Sequence, residues 1–148
     1  MNKPLVSIIV NCYNGEKYLQ DAINSIYAQS YQNWEIVFWD NNSNDNSAEI
    51  AISFDKKLRY YKSESTTSLG KARTQAVSKA KGDYLAFLDC DDLWHTKKIE
   101  RQIDKIINNQ DVGLVYCKTN FISEDGEIIS KYSKQESLKQ GDIFEELA

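Results

Sequence analysis

One histidine is all the chain offers for imidazole chemistry. His95 stands beside Trp94, and with no second histidine the Ser-His-Asp and Cys-His arrangements have no persuasive geometry. Cysteine is sparse too. Cys12, Cys90 and Cys117 lie far apart, no C-x-x-C pair exists, and an odd count makes no disulfide framework. The plain expectation is three reduced thiols in a reducing compartment, packed as small apolar residues. Cys90, between two acids that raise its pKa, is not read as a nucleophile. Basic charge is in deficit: 18 Lys and Arg against 22 Asp and Glu give a net charge of -4. A nucleic-acid partner, which needs a basic face, is therefore not expected. No apolar run approaches the ~20 residues that span a bilayer. The start, Met1-Asn2-Lys3-Pro4 followed by an apolar run, has no signal-peptide pattern, so a cytoplasmic location is expected. Asn41-Asn42-Ser43 is then a chance match to a glycosylation acceptor. No G-x-G-x-x-G, Walker A loop or H-E-x-x-H occurs.

What is present is an ordinary globular balance: 41% hydrophobic and 27% charged residues over a length of 148. That length favours one domain over residues 1–148. β-branched apolar runs alternate with helical periodicity. Strands are expected at 5–10, 34–39, 58–61, 84–88 and 112–117. Helices are expected at 16–29, 47–54, 69–81 (stopped by Gly82) and 97–109. A hairpin over 120–132 turns at Glu124-Asp125-Gly126, and a further helix opens at 143–148. Alternating strands and helices predict an α/β fold: an open, mainly parallel, Rossmann-like sheet with helices on both faces. Right-handed crossovers put every strand's C-terminal end on one edge, where such sheets bind ligands. The polar segments Asn11–Asn14, Asp40–Asp45 and Asp89–Asp92 should therefore meet.

Asp89-x-Asp91 is the strongest chemical signal. Two carboxylates one residue apart at a strand end suit a hard divalent cation, Mn²⁺ or Mg²⁺. The plainer alternative is a solvated strand end with Asp92 capping the next helix. Asp40 can accept from a base N–H or a ribose hydroxyl, or it can simply serve the Asn/Asp turn that follows. An EF-hand reading fails, because Asp45 stands where Gly is needed and Ala51 where Glu is needed. Tyr13 can stack on a nucleobase. Arg73, one turn into its helix, can fork onto phosphate oxygens or stay solvated.

The motifs fall in a familiar order. Pro4-Leu5-Val6-Ser7-Ile8-Ile9-Val10-Asn11-Cys12-Tyr13-Asn14, Glu35 to Asp45, Gly70-Lys71-Ala72-Arg73 and Gly82 to Trp94 together resemble family 2 glycosyltransferases of the GT-A fold, from about Pro4 to Tyr116. The resemblance implies a nucleotide-sugar donor, UDP-linked in most cases, and an inverting transfer to a saccharide or lipid-linked acceptor. The setting it implies is bacterial-type surface polysaccharide or glycolipid synthesis, with peripheral association at the inner membrane face. It places Asn11, Tyr13 and the neighbouring Asn14 at the nucleotide, Asp40 on the base, Arg73 near base and diphosphate, Asp89 near ribose and metal, and Asp91 on the metal, where its catalytic role is to hold that ion. Asn41 departs from the family's commoner second Asp, and Ser65-Thr66-Thr67 from its usual Asn and Gly. Family members are much longer, and their later half supplies the acceptor site and base, so the chain reads as a truncated donor half. Glu124, Asp125 and Glu127 read as a solvated hairpin rather than that base.

Two rival readings stay open at this level. A haloacid-dehalogenase-type phosphatase also carries D-x-D after an apolar strand, although in its first strand rather than its fourth. A nucleotide-binding module without catalysis fits the short length.

Overall fold

The computed structural model describes residues 3–109 and 111–131. The expected helix at 143–148 and the end of the hairpin, Tyr132, lie outside them. The chain divides into two compact units, Met1–Ile103 and Asp104–Ala148.

The first unit is built on four parallel strands: β1 (Val6–Cys12), β2 (Trp34–Asp40), β3 (Leu58–Lys62) and β4 (Tyr84–Asp89). They lie in the order β3-β2-β1-β4. β1 is central and buried along its whole length, which is why Val6, Ile8, Ile9 and Val10 make it mostly apolar, with Ser7 and Asn11 as its buried polar residues. The crossovers contain α1 (Glu16–Tyr27), α2 (Ser47–Ile52) and α3 (Leu69–Val77), and α4 (Lys98–Ile107) follows β4.

Strand alternation sorts the core into two layers. Val6, Ile8, Val10 and Cys12 of β1 face Leu19, Ala22, Ile23 and Ile26 of α1, with Ala51 of α2 and Ile99 and Ile103 of α4. Ile9, Val37 and Trp39 face Ala72 and Ala76 of α3. Both faces of the sheet thus carry helices, as the alternation predicts. Each fully buried Leu or Ile contributes about 1.5–3 kcal/mol, so the α1 layer alone is a large part of the driving force.

Two expectations need correction here. Gly82 does not stop α3, which ends at Val77 with Ser78 as its C-cap. Instead Gly82 passes close to β1: a Cβ there would lie 2.6 Å from the Ser7 amide nitrogen and 2.7 Å from the Leu5 carbonyl oxygen. Asp92 caps no helix either, since α4 begins only at Lys98. A buried amide holds the intervening segment. Gln29 is 1% exposed. Its Nε2 donates to the carbonyls of Ser25 and His95, and its Oε1 accepts from the Ile99 amide.

In the second unit, β5 (Asn120–Ile122) and β6 (Ile128–Lys131) pair antiparallel. Gly126 takes a positive φ of 81° in the turn, the role its place after Glu124-Asp125 suggests. Residues 112–117, expected as a fifth strand, have irregular backbone instead. Leu114 and Tyr116 are exposed. β-branched composition describes what fits a ladder and does not by itself make one.

Candidate functional site

The three polar segments meet at the C-terminal edge of the sheet. The Asn41 amide donates to the Cys12 carbonyl at 2.8 Å. The loop after β1 then interlocks with the loop after β2. Asn14 N–H donates to Ser43 Oγ, and Asn44 N–H returns to Asn14 Oδ1, both at 3.0 Å. Gly15 N–H donates to Ser47 Oγ and Glu16 N–H to Asp45 Oδ2, both at 2.9 Å. Asn14 and Asn42 sit at φ 54° and 70°, a region asparagine tolerates better than most residues. Asn14, expected at the nucleotide, is therefore turned into the loop and positions it. Burial opposes ionisation of Asp45, but hydrogen bonds from the Ser47 hydroxyl and the Glu16 and Ser47 amides outweigh it and hold the pKa below the usual value.

Alternation sorts the residues at the strand ends by face. Asn11 is registered with Trp39 on one side and Asp89 on the other, all on the α3 face. A cleft of about 210 Å³ opens there, lined by Asn11, Tyr13, Asn41, Thr67, Leu69 and Ala72 among others. Asn11 is 8% exposed, and its Nδ2 is buried with no partner among the described residues, as are Trp34 Nε1 and Trp39 Nε1 in the core. Of these donors, Asn11 Nδ2 belongs to a residue that lines the cleft. Tyr13 is 53% exposed and presents its ring to the opening.

Asp40 falls on the other side. It follows Phe38 on the α1 face and is fully buried. Its Oδ1 accepts from the Ser43 amide and its Oδ2 from the Tyr60 hydroxyl, both at 2.6 Å. Lys62 Nζ lies 3.9 Å from Oδ2. Burial and the adjoining Asp40 carboxylate push the Tyr60 phenol well above its usual range. The expected base contact is corrected: the Asp40 carboxylate anchors the turn and does not line the cleft. Asn41, one residue on, does. Its Nδ2 donates to the Thr67 carbonyl at 2.8 Å, and its Oδ1 accepts from the Thr67 amide and hydroxyl, both at 3.0 Å. Asn41 and Thr67, the two departures from the family pattern, thus clamp each other. The signal was in the sequence: Asn41 is two residues beyond Trp39 and shares its face.

On α3, Ser68 caps the helix by accepting from the Lys71 amide, and Arg73 follows one turn in. Its Nη2 meets Asp89 Oδ1 at 2.6 Å. Both side chains are more than one-third exposed, so solvent screens the pair. Asp91 is exposed on the turn beyond β4. Burial, then the charges of Asp91 and Asp89, raise the Asp92 carboxyl above its ordinary value. Negative charge has accumulated on this turn, which is the electrostatic condition a cation relieves. No cluster of three or more Asp, Glu, His or Cys suited to a metal occurs among the described residues. The protein alone thus offers one or two carboxylates, enough only when phosphate oxygens and water complete the shell.

His95 is exposed and accepts from the Lys97 amide through Nδ1 at 3.3 Å, a local turn contact. The cysteine pair was missed: a Cβ on Gly15 would lie 2.7 Å from Cys12 Sγ and 2.9 Å from Cys90 Sγ, so the two sulfurs are neighbours, and Cys12 Sγ donates to Ser47 Oγ at 3.5 Å. The neighbouring Cys90 lowers the Cys12 pKa, and Cys12 together with burial raises that of Cys90.

This geometry can be set beside known proteins. The chain is 36% identical over 148 residues to the glycosyltransferase MJ1057 of Methanocaldococcus jannaschii, covering 97% of this chain and 51% of that one. It is 33% identical over 133 residues to WfgD of Escherichia coli, a UDP-Glc:α-D-GlcNAc-diphosphoundecaprenol β-1,3-glucosyltransferase, covering 89% and 52%. Among solved structures, TarS of S. aureus in complex with UDP-GlcNAc superposes with a TM-score of 0.68 at 28% identity, covering 71% of this chain and 32% of that one. The chain spans about half the length of the curated relatives it matches. These relatives leave the phosphatase reading without support. The glycosyl transferase family 2 model matches residues 7–145, and the chain belongs to that family.

Proposed function

We propose that this chain binds a UDP-sugar together with Mn²⁺ or Mg²⁺ and forms the donor half of an inverting glycosyl transfer. The acceptor is a hydroxyl of a saccharide or lipid-linked saccharide, in surface polysaccharide or glycolipid synthesis. The observation that carries this reading is the unpartnered Asn11 Nδ2, buried on the wall of a cleft at the sheet's C-terminal edge. A carbonyl oxygen of uracil would satisfy that donor, and Tyr13 would stack on the ring. The donor printed in the name of WfgD and the nucleotide sugar held by TarS support the same class.

In this reading Arg73 leaves Asp89 for diphosphate oxygens, and Asp89 turns to the ribose. Asp91, exposed and adjoining, would hold the cation with Asp89. When bound, the cation supplies neutralisation of the charge that develops on the departing diphosphate. The acceptor oxygen forms a bond to the anomeric carbon as the carbon–oxygen bond to UDP breaks, which inverts that centre. A base on the acceptor hydroxyl is required, and no described residue is assigned to it. No helix among the described residues is long and apolar enough to cross a membrane; peripheral association at the inner membrane face is part of the proposal.

Calorimetric titration with UDP, CDP, GDP and ADP, in Mn²⁺, tests the donor. UDP should bind most tightly. Equal binding of all four would overturn the base assignment, and no binding would overturn the donor site.

A further inference from the structure

The cysteines use neither the proposed donor chemistry nor the core in an ordinary way. Cys12 ends β1 and Cys90 follows β4, and the register Asn11↔Asp89 makes them neighbours across the ladder. Adjacent strands lie about 4.8 Å apart, inside the roughly 4.4–6.8 Å that a disulfide spans between Cα atoms. Both side chains point to the α1 side of the sheet edge. There Gly15 makes room for them: a Cβ on Gly15 would lie 2.7 Å from Cys12 Sγ and 2.9 Å from Cys90 Sγ. The two sulfurs therefore crowd one point. Cys12 is buried, and Cys90 is half-buried. Cys117, the third thiol, is exposed.

We propose that Cys12 and Cys90 form a reversible disulfide, made by exchange with a low-molecular-weight disulfide, that restrains the Asp89–Asp91 turn and weakens nucleotide binding. Exchange begins at one of the two sulfurs, which as the thiolate attacks the small disulfide, forming a mixed disulfide and releasing one small thiol. The other sulfur then attacks the protein sulfur of the mixed disulfide, forming the Cys12–Cys90 bond, breaking the mixed bond and releasing the second small thiol. The protein is oxidised by two electrons and gives up two thiol protons, and the reagent takes up both.

The consequence for the site follows from connectivity. A disulfide holds its sulfurs about 2.05 Å apart, closer than two unlinked thiols. Closing it draws Cys90 toward β1, and Asp89 and Asp91 flank Cys90 directly. Linkage is reciprocal: if the bridge weakens UDP, UDP protects the thiols by the same factor.

This coupling rests on the donor reading, whereas the bridge itself does not. The test treats the full chain with cystamine, maps peptides without reduction, and titrates UDP in Mn²⁺ before oxidation, after it, and after reduction. The expected map links Cys12 to Cys90, with Cys117 carrying only the reagent. UDP affinity should fall about tenfold, within the ordinary range of coupling between sites, and recover on reduction. Cys90→Ser should bind UDP alike with and without cystamine. Cys12→Ser repeats the test from the buried side, and Cys90→Ser suffices should that variant not fold. Cys12 and Cys90 left as thiols, or capped singly, once Cys117 has fully reacted would overturn the bridge. A complete Cys12–Cys90 bridge with unchanged UDP affinity would overturn the coupling. Failure of the reduced protein to bind UDP would instead overturn the donor reading, and the peptide map alone would then judge the bridge.

Discussion

Asp40 and Asn41 are adjacent in sequence and opposite in role. Asp40 is sealed against Tyr60 and the Ser43 amide, while Asn41 joins Thr67 on the wall of the cleft. Asp40→Ala should therefore act on stability first. It removes two hydrogen bonds to a buried carboxylate and leaves the Tyr60 hydroxyl without its acceptor, a loss of about 3 kcal/mol or more. Urea unfolding checks this, and an unchanged midpoint would return Asp40 to the cleft. Asn41→Ala should show the reverse balance. It frees Thr67 and loosens the cleft wall, so UDP affinity should fall by a factor of about ten (~1.4 kcal/mol), with a smaller loss of stability. Side-by-side calorimetry and urea unfolding separate the two effects. Which of the two side chains lines the cleft was legible only through strand parity, because the residue type alone favours Asp40.

At the scale of elements, the strand and helix positions were readable because their periods are strong. β1 and β2 are apolar runs buried on both faces, and α1 repeats its apolar residues on one stripe. The role of Gly82 was not readable, because close approach between segments distant in sequence leaves no local mark. Gly82→Ala should cost roughly 1–3 kcal/mol, since backbone rather than a flexible side chain meets the new methyl. A stability equal to the parent would show that the start of β4 can shift. Nearby, Glu35 ties three segments together. It accepts from the Ser7 hydroxyl at 2.7 Å, the Lys81 amide at 2.8 Å and the Arg59 guanidinium at 3.0 Å. Burial opposes its ionisation, but these partners prevail and lower its pKa. Because the folded pKa lies below the unfolded value of about 4.3, the stabilisation is present above that pH. It is lost as pH falls through the folded pKa. Glu35→Gln should reduce the acid-induced fall of the urea midpoint between about pH 5 and pH 3. An identical fall in both proteins would assign it to other carboxylates.

Across the whole molecule, the alternation of elements carried the fold class, and four weak motifs in register carried the family. The fifth strand failed because a strand is a relation between two segments, and the sequence shows only one of them. The cleft was legible as a place, the C-terminal edge of the sheet, and in part as residues: Asn11 and Tyr13 line it, and Arg73 reaches Asp89. The Asn41–Thr67 clamp and the Cys12–Cys90 contact arise from tertiary proximity and could not be read from spacing.

The central claim is that Asp91 couples a cation to the nucleotide, and one titration tests it most directly. UDP is titrated into the parent chain and into Asp91→Asn, each with Mn²⁺ and again with chelator. The parent should bind UDP about tenfold or more tightly with Mn²⁺, a coupling of about 1–3 kcal/mol. Asp91→Asn keeps the side-chain shape and should abolish that difference while its urea midpoint stays near that of the parent. Equal UDP affinity with Mn²⁺ and with chelator in the parent, unchanged by Asp91→Asn, would contradict the account.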